Sequence, residues 1–162
     1  MLKPLRIRAF RAVLFPFLLA GIASTFHAQE SLQHPSEFLG FDLGDRFSVH
    51  HEVTDFSKHV GAQPGASYVE YGSTYEQRPL HAIVFTHPDN LDRLEDIRLQ
   101  HLDRVNGGTG DEAFDELAVV WMSYNVHGNE AVCTEAALEV MHALAEKCAA
   151  GDPMMKRLVV LV

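Results

Sequence analysis

Positive charge, cysteine and long apolar runs are all scarce in this chain, and each scarcity removes a class of function. Its 162 residues carry 13 Lys and Arg against 22 Asp and Glu, a formal net charge of −9. Four of those basic residues, Lys3, Arg6, Arg8 and Arg11, lie in the first 28 positions, which hold no acidic residue. Positions 29–162 therefore carry nine basic against 22 acidic groups, a net of −13. Such a surface repels nucleic acid and anionic membranes, and neither is expected as a partner. There are two cysteines, Cys133 and Cys148, on what reads as a single helix. A rise of 1.5 Å per residue places them roughly 22 Å apart. Disulfide geometry requires Cα atoms within about 7 Å, so the two do not pair with each other and read as small buried hydrophobes. The glycines of Asn106-Gly-Gly-Thr-Gly110 lack a following Lys-Ser/Thr pair and open no helix, which excludes a phosphate cradle. No internal repeat is visible.

The N-terminal apolar run, Ala12 to Ser24, is interrupted by Pro16 and is too short for a comfortable membrane span. Behind four basic residues it reads as a secretory signal, with cleavage expected after Ala28 and a cut after Ala23 as the alternative. Residues 1–28 are thus expected to be a signal peptide and residues 29–162 an exported chain, secreted or periplasmic, with no stable membrane insertion after cleavage. That remaining length suits one domain with a real core.

Along the chain, Gln29 to Arg46 is loop-rich, and His34-Pro-Ser-Glu37 within it reads as surface loop. Phe47 to Val60 has helical periodicity ended by Gly61 and Pro64-Gly65. Tyr68–Tyr71 and Leu80–Phe85 read as the strands of a hairpin. Asn90 to Val105 reads as a solvent-facing helix capped by Asp89 or Asn90. Leu117-Ala-Val-Val-Trp-Met-Ser-Tyr124 reads as a buried strand, and Trp121 and Tyr124 as core residues. A helix from about Glu130 to Ala149 carries the stripe Ala137, Val140, Met141, Leu144, Ala145 and Cys148. Gly151 stops it. Leu158-Val-Val-Leu-Val162 is a continuous apolar run of the kind that forms a doubly covered central strand. A domain rarely ends on such a strand, so the chain reads as truncated. Strands alternating with helices after a hairpin give an α/β class with a mixed sheet.

The chemistry concentrates at Ser123-Tyr-Asn-Val-His127-Gly-Asn-Glu130-Ala131. His127 and Glu130 offer an imidazole and a carboxylate three residues apart, where the apolar run stops and the helical run begins. Both are ligands that a catalytic Zn²⁺ accepts, and such a zinc needs three protein ligands because water takes the fourth position. Ligands in open α/β sheets gather at the carboxyl ends of strands, which is where His127 falls. The remaining histidines, His50, His51, His59, His81, His87, His101 and His142, have no partner at metal-ligand spacing and read as surface or strand-face residues.

Tyr71-Gly-Ser-Thr-Tyr-Glu-Gln-Arg-Pro-Leu80 followed by Trp121 to Ala131 resembles the first two landmarks of the zinc carboxypeptidases related to carboxypeptidase A. The first resembles the family's Gly-x-Ser/Thr-x-Glu-Gly-Arg-Pro turn, and the second its zinc-binding His-x-x-Glu in the His-Gly-Asn-Glu form. The likeness spans roughly residues 35–162 and implies an incomplete carboxypeptidase-like fold, a mixed β-sheet with helices on both faces. It implies His127 and Glu130 as Zn²⁺ ligands and hydrolysis of C-terminal peptide bonds, with peptide or protein C-termini as substrate. The family's third ligand and its catalytic residues are expected beyond Val162, so the 162-residue chain alone is expected to be inactive. Gln77 stands where the family has glycine, Asn129 where carboxypeptidase A-type members have a substrate-contacting arginine, and Arg78 reads as a salt-bridging turn residue. Two other readings stay open: a zinc amidase or deacylase of the same fold, and an inactive fragment acting at most as a binding module.

Overall fold

The computed structural model describes residues 30–114 and 117–162. The expected signal peptide lies outside the described residues. In chain order the elements are helix α1 (Pro35–Leu39), α2 (His50–Gly61), strands β1 (Ala66–Ser73) and β2 (Pro79–Phe85), helices α3 (Pro88–Leu91) and α4 (Leu94–Val105), strand β3 (Ala118–Trp121), helix α5 (Val132–Ala149) and strand β4 (Leu158–Leu161). The four strands form one mixed sheet in the order β1-β2-β4-β3. β1 and β2 are the antiparallel hairpin, β2 runs antiparallel to β4, and β4 runs parallel to β3. A parallel pair needs a crossover, and α5 supplies it. None of the described helices is long and apolar enough to cross a membrane.

The strand side chains alternate between two cores, as the two-residue period of a strand requires. Ile83 and Phe85 of β2 and Val160 of β4 meet Phe56 and Val60 of α2 and Leu138, Met141, Ala145 and Cys148 of α5. On the opposite face Val84 and Val159 meet Ile97 of α4 and Phe114. Helices therefore cover both faces, and the class is α/β with a mixed sheet. Phe56, Phe85, Ile83 and Leu138 are fully buried, and each such side chain contributes about 1.5–3 kcal/mol. Both cysteines are free, Cys148 in this core and Cys133 half-buried. Burial pushes the Cys148 thiol up to about 11, so it is an inert packing group. Gly65, at φ 77°, joins α2 to β1 where a Cβ would stand 2.5 Å from the Thr86 carbonyl oxygen and 2.7 Å from Cys148 Cβ. Only glycine allows that approach.

Four expectations change. The lead-in holds a helix: Pro35 is buried at its first turn, the His34 imidazole accepts from Ser36 N, and Gly40 ends it at φ 75°. His34 and Glu37 therefore belong to a capped helical turn. The single helix expected at 90–105 is two, and its cap is His87, whose Nδ1 accepts from Asp89 N. Asn90 is buried instead, donating to Thr86 Oγ1 at 2.9 Å and to the Lys156 carbonyl at 3.2 Å. The helix after the His127 turn starts at Val132, two residues beyond Glu130. Finally, β3 is no buried strand. It pairs only with β4 among the described residues, all four of its residues are exposed, and Trp121 is 77% exposed. An apolar run looks the same in a central and an edge strand, because neighbours decide burial.

Candidate metal centre

Two turns carry the chemistry-bearing motifs. The first joins β1 to β2. Thr74 closes it three ways: its N–H donates to the Arg78 carbonyl at 2.8 Å, its carbonyl accepts from Gln77 N at 2.9 Å, and its hydroxyl oxygen accepts from Arg78 N at 3.1 Å. Gln77 sits at φ 62°, a left-handed conformation that glycine adopts freely. Arg78 pairs with Glu76 at 2.9 Å on the surface, a turn-bracing contact.

The second turn follows β3. Met122 N still donates to the Leu161 carbonyl at 2.8 Å, so the chain leaves the sheet at the carboxyl end of β3. Asn125 then takes φ 54°. Glu130 N donates to the His127 carbonyl at 3.0 Å, closing a turn that brings both side chains to one side. His127 Nδ1 lies 3.3 Å from Glu130 Oε1, with the side chains 70% and 53% exposed. Charge-assisted N–H···O bonds run nearer 2.7–2.9 Å. Two ligand atoms bound tetrahedrally at 2.0–2.2 Å would instead lie roughly 3.3–3.6 Å apart. At 3.3 Å the pair is in hydrogen-bond or ion-pair contact, a spacing that two corners of a zinc site also have. Among the described residues, no group of three His, Cys, Asp or Glu side chains is placed to hold a metal.

Beside this turn lies a cleft of about 280 Å³, walled by Trp121, Tyr124, Met141 and Leu161 and reaching the turn through Asn125 and Thr134. Trp121 and Tyr124, expected in the core, are cleft walls. On its far side His81 Nε2 lies 3.1 Å from Ser57 Oγ, and the ring stacks on Tyr68 at 5.1 Å. Burial, helped by the nearby His50, holds the His81 imidazole below its ordinary value. Its Nδ1 is buried with no hydrogen-bond partner.

Three further histidines make local structural contacts. His59 Nε2 accepts from Gln33 N at 3.1 Å, fastening the lead-in to α2. His34 Nε2 meets Glu139 at 3.2 Å, and His142 Nδ1 is 3.8 Å from Glu146. Sequence reasoning did not single out Asn125 or Thr134. Asn is one of the few non-glycine types that tolerate the left-handed region, which was the available signal.

A family model described as zinc carboxypeptidase matches residues 54–161, two thirds of the chain. The chain belongs to the zinc carboxypeptidase family. The match runs from α2 into β4 and takes in both turns, so this zinc carboxypeptidase family member carries its two motifs inside the matched span. A comparison with curated proteins finds no match. The family is one of hydrolases acting on peptide bonds and implies zinc, for which His127 and Glu130 have the donor types and spacing described.

Proposed function

We propose that this protein acts in zinc-dependent removal of residues from peptide C-termini, with His127 and Glu130 as two of the metal's protein ligands. The observation that carries this is the 3.3 Å separation of His127 Nδ1 and Glu130 Oε1 at the end of β3. When bound, zinc supplies Lewis-acid polarisation of the scissile carbonyl and a more acidic water. The chain's own part is to aim two donors at one point and hold them on a turn between a strand and a helix. The adjoining cleft gives an apolar wall next to that point. We also propose export, on the strength of the N-terminal signal pattern.

A catalytic zinc takes three protein ligands, and the described residues provide two. General acid–base help is typically worth 10²–10⁴-fold, and neither His127 nor Glu130 is free to give it while ligating. With these two ligands alone, weak zinc binding and no peptide turnover are expected. The test is zinc titration against a chromophoric chelator, with His127→Ala beside it, followed by an assay on peptides with free and amidated C-termini. Zinc affinity lost in His127→Ala supports the ligand assignment. Unchanged affinity overturns it. Zinc-dependent release of terminal residues by the chain alone, abolished in His127→Ala, would overturn that expectation.

A further inference from the structure

The ligand-bearing turn has little packing of its own. Residues 125–130 are all exposed, while Met122 at the strand end packs against the core. Backbone ordering costs about 1–2 kcal/mol per residue, so an exposed turn keeps its shape only through hydrogen bonds. Its local backbone bonds, Glu130 N to the His127 carbonyl and Cys133 N to the Glu130 carbonyl, shape the turn but do not tie its strand side to the helix. One side-chain bond does so among the described residues. Asn125 Nδ2 donates to Thr134 Oγ1 at 2.5 Å, joining positions nine apart in sequence, with both His127 and Glu130 between them.

We propose that Asn125 and Thr134 are a positioning pair that clamps the His127–Glu130 turn closed across the mouth of the cleft. Asn125 stands at φ 54°, where asparagine is tolerated and most residues are not. Thr134 lies in the first turn of α5, a helix anchored in the core by Ala137, Leu138 and Met141. The clamp thus fastens an unburied turn to a buried helix. Closing the loop at its two ends shrinks the range of His127–Glu130 separations the turn samples, and so preorganises the pair. Neither is one of the two assigned ligands, and both act through the turn. The role as a clamp stands on the geometry, while its effect on metal binding rests on the ligand assignment proposed above.

Three variants test it. Thr134→Val keeps the side-chain shape and deletes the hydroxyl, Thr134→Ser retains the hydroxyl, and Asn125→Gly keeps the left-handed backbone while deleting the amide. Zinc affinity is read by chelator competition. Amide hydrogen exchange of residues 126–131 is read on the zinc-free protein. Thr134→Val and Asn125→Gly are expected to weaken zinc about two- to tenfold, the range for one net hydrogen bond. Thr134→Ser should restore wild-type binding, and the double variant should be no worse than the worse single, since both delete the same contact. Exchange in the turn should quicken in both deletions while the core amides of α5 stay protected. Unchanged exchange in Thr134→Val overturns the clamp, as do zinc losses that multiply in the double variant. His127→Ala separates the two ideas. If that variant binds zinc as well as wild type, the ligand assignment fails, and the exchange data still judge the clamp.

Discussion

The hairpin turn at 74–78 and the His127–Glu130 turn at 125–134 solve opposite problems. Thr74 closes the first turn on itself with three bonds, between two strands paired to each other. The second is exposed at 125–130, presents two side chains to solvent, and has one side-chain bond among the described residues joining its two ends. The hairpin turn tolerates Gln77 at φ 62° because its flanking strands over-determine the conformation. The His127–Glu130 turn has no such surroundings, and in our proposal the Asn125–Thr134 bond supplies its restraint. A structural turn and a ligand-presenting turn therefore differ less in residue type than in where their restraints come from.

The sharpest test of that contrast is a ligand deletion. His127→Ala should lower zinc affinity more than about a hundredfold, beyond the range for loss of an outer partner, with the thermal midpoint of the zinc-free protein unmoved. Thr74→Val should do the reverse, costing about 1 kcal/mol in urea denaturation for a lost turn bond and leaving zinc affinity as it was. Equal effects of the two variants on both readouts would collapse the distinction.

Smaller changes sharpen it further. Gln77→Gly relieves a left-handed side chain and should raise stability by about 0.5–1 kcal/mol, the relief being partly offset by glycine's greater freedom when unfolded. Asn125→Gly relieves the same kind of backbone but removes the clamp, and should gain nothing at the turn.

His81, across the cleft from the His127–Glu130 turn, adds a pH-dependent effect. Its folded value is held below the ordinary one by burial, so the unfolded chain binds the proton more readily. Stability should fall as pH drops through about 6.5. His81→Gln should flatten that slope in denaturation curves taken between pH 7.5 and 5.5, and an unaltered slope would show that His81 does not titrate with unfolding. The smallest effect is Arg78→Ala. Its ion pair with Glu76 is exposed, and the loss should stay under about 0.5 kcal/mol.

What the sequence by itself determined is what short-range pattern encodes. Helical spacing through Phe56 and Val60 marked α2, and the stripe Ala137, Met141, Ala145 and Cys148 marked α5 with its core-facing side. Alternating strands around a Thr-Tyr-Glu-Gln-Arg turn marked the hairpin, and the Leu158–Val162 run marked β4, which does lie between two strands. The His-x-x-Glu between an apolar and a helical run located the turn on which both residues now face each other. The rest was decided by tertiary structure. Nothing local to Ala118–Trp121 says that β3 has one neighbour among the described residues instead of two, so Trp121 stands on a cleft wall and not in the expected core. Nothing local to Asn125 announces a hydroxyl nine residues on. Periodicity reports which side of an element is apolar, because that repeats every two or 3.6 residues. Which element lies opposite, and which polar atoms meet across a turn, depends on contacts between distant segments, and those exist only once the chain is folded.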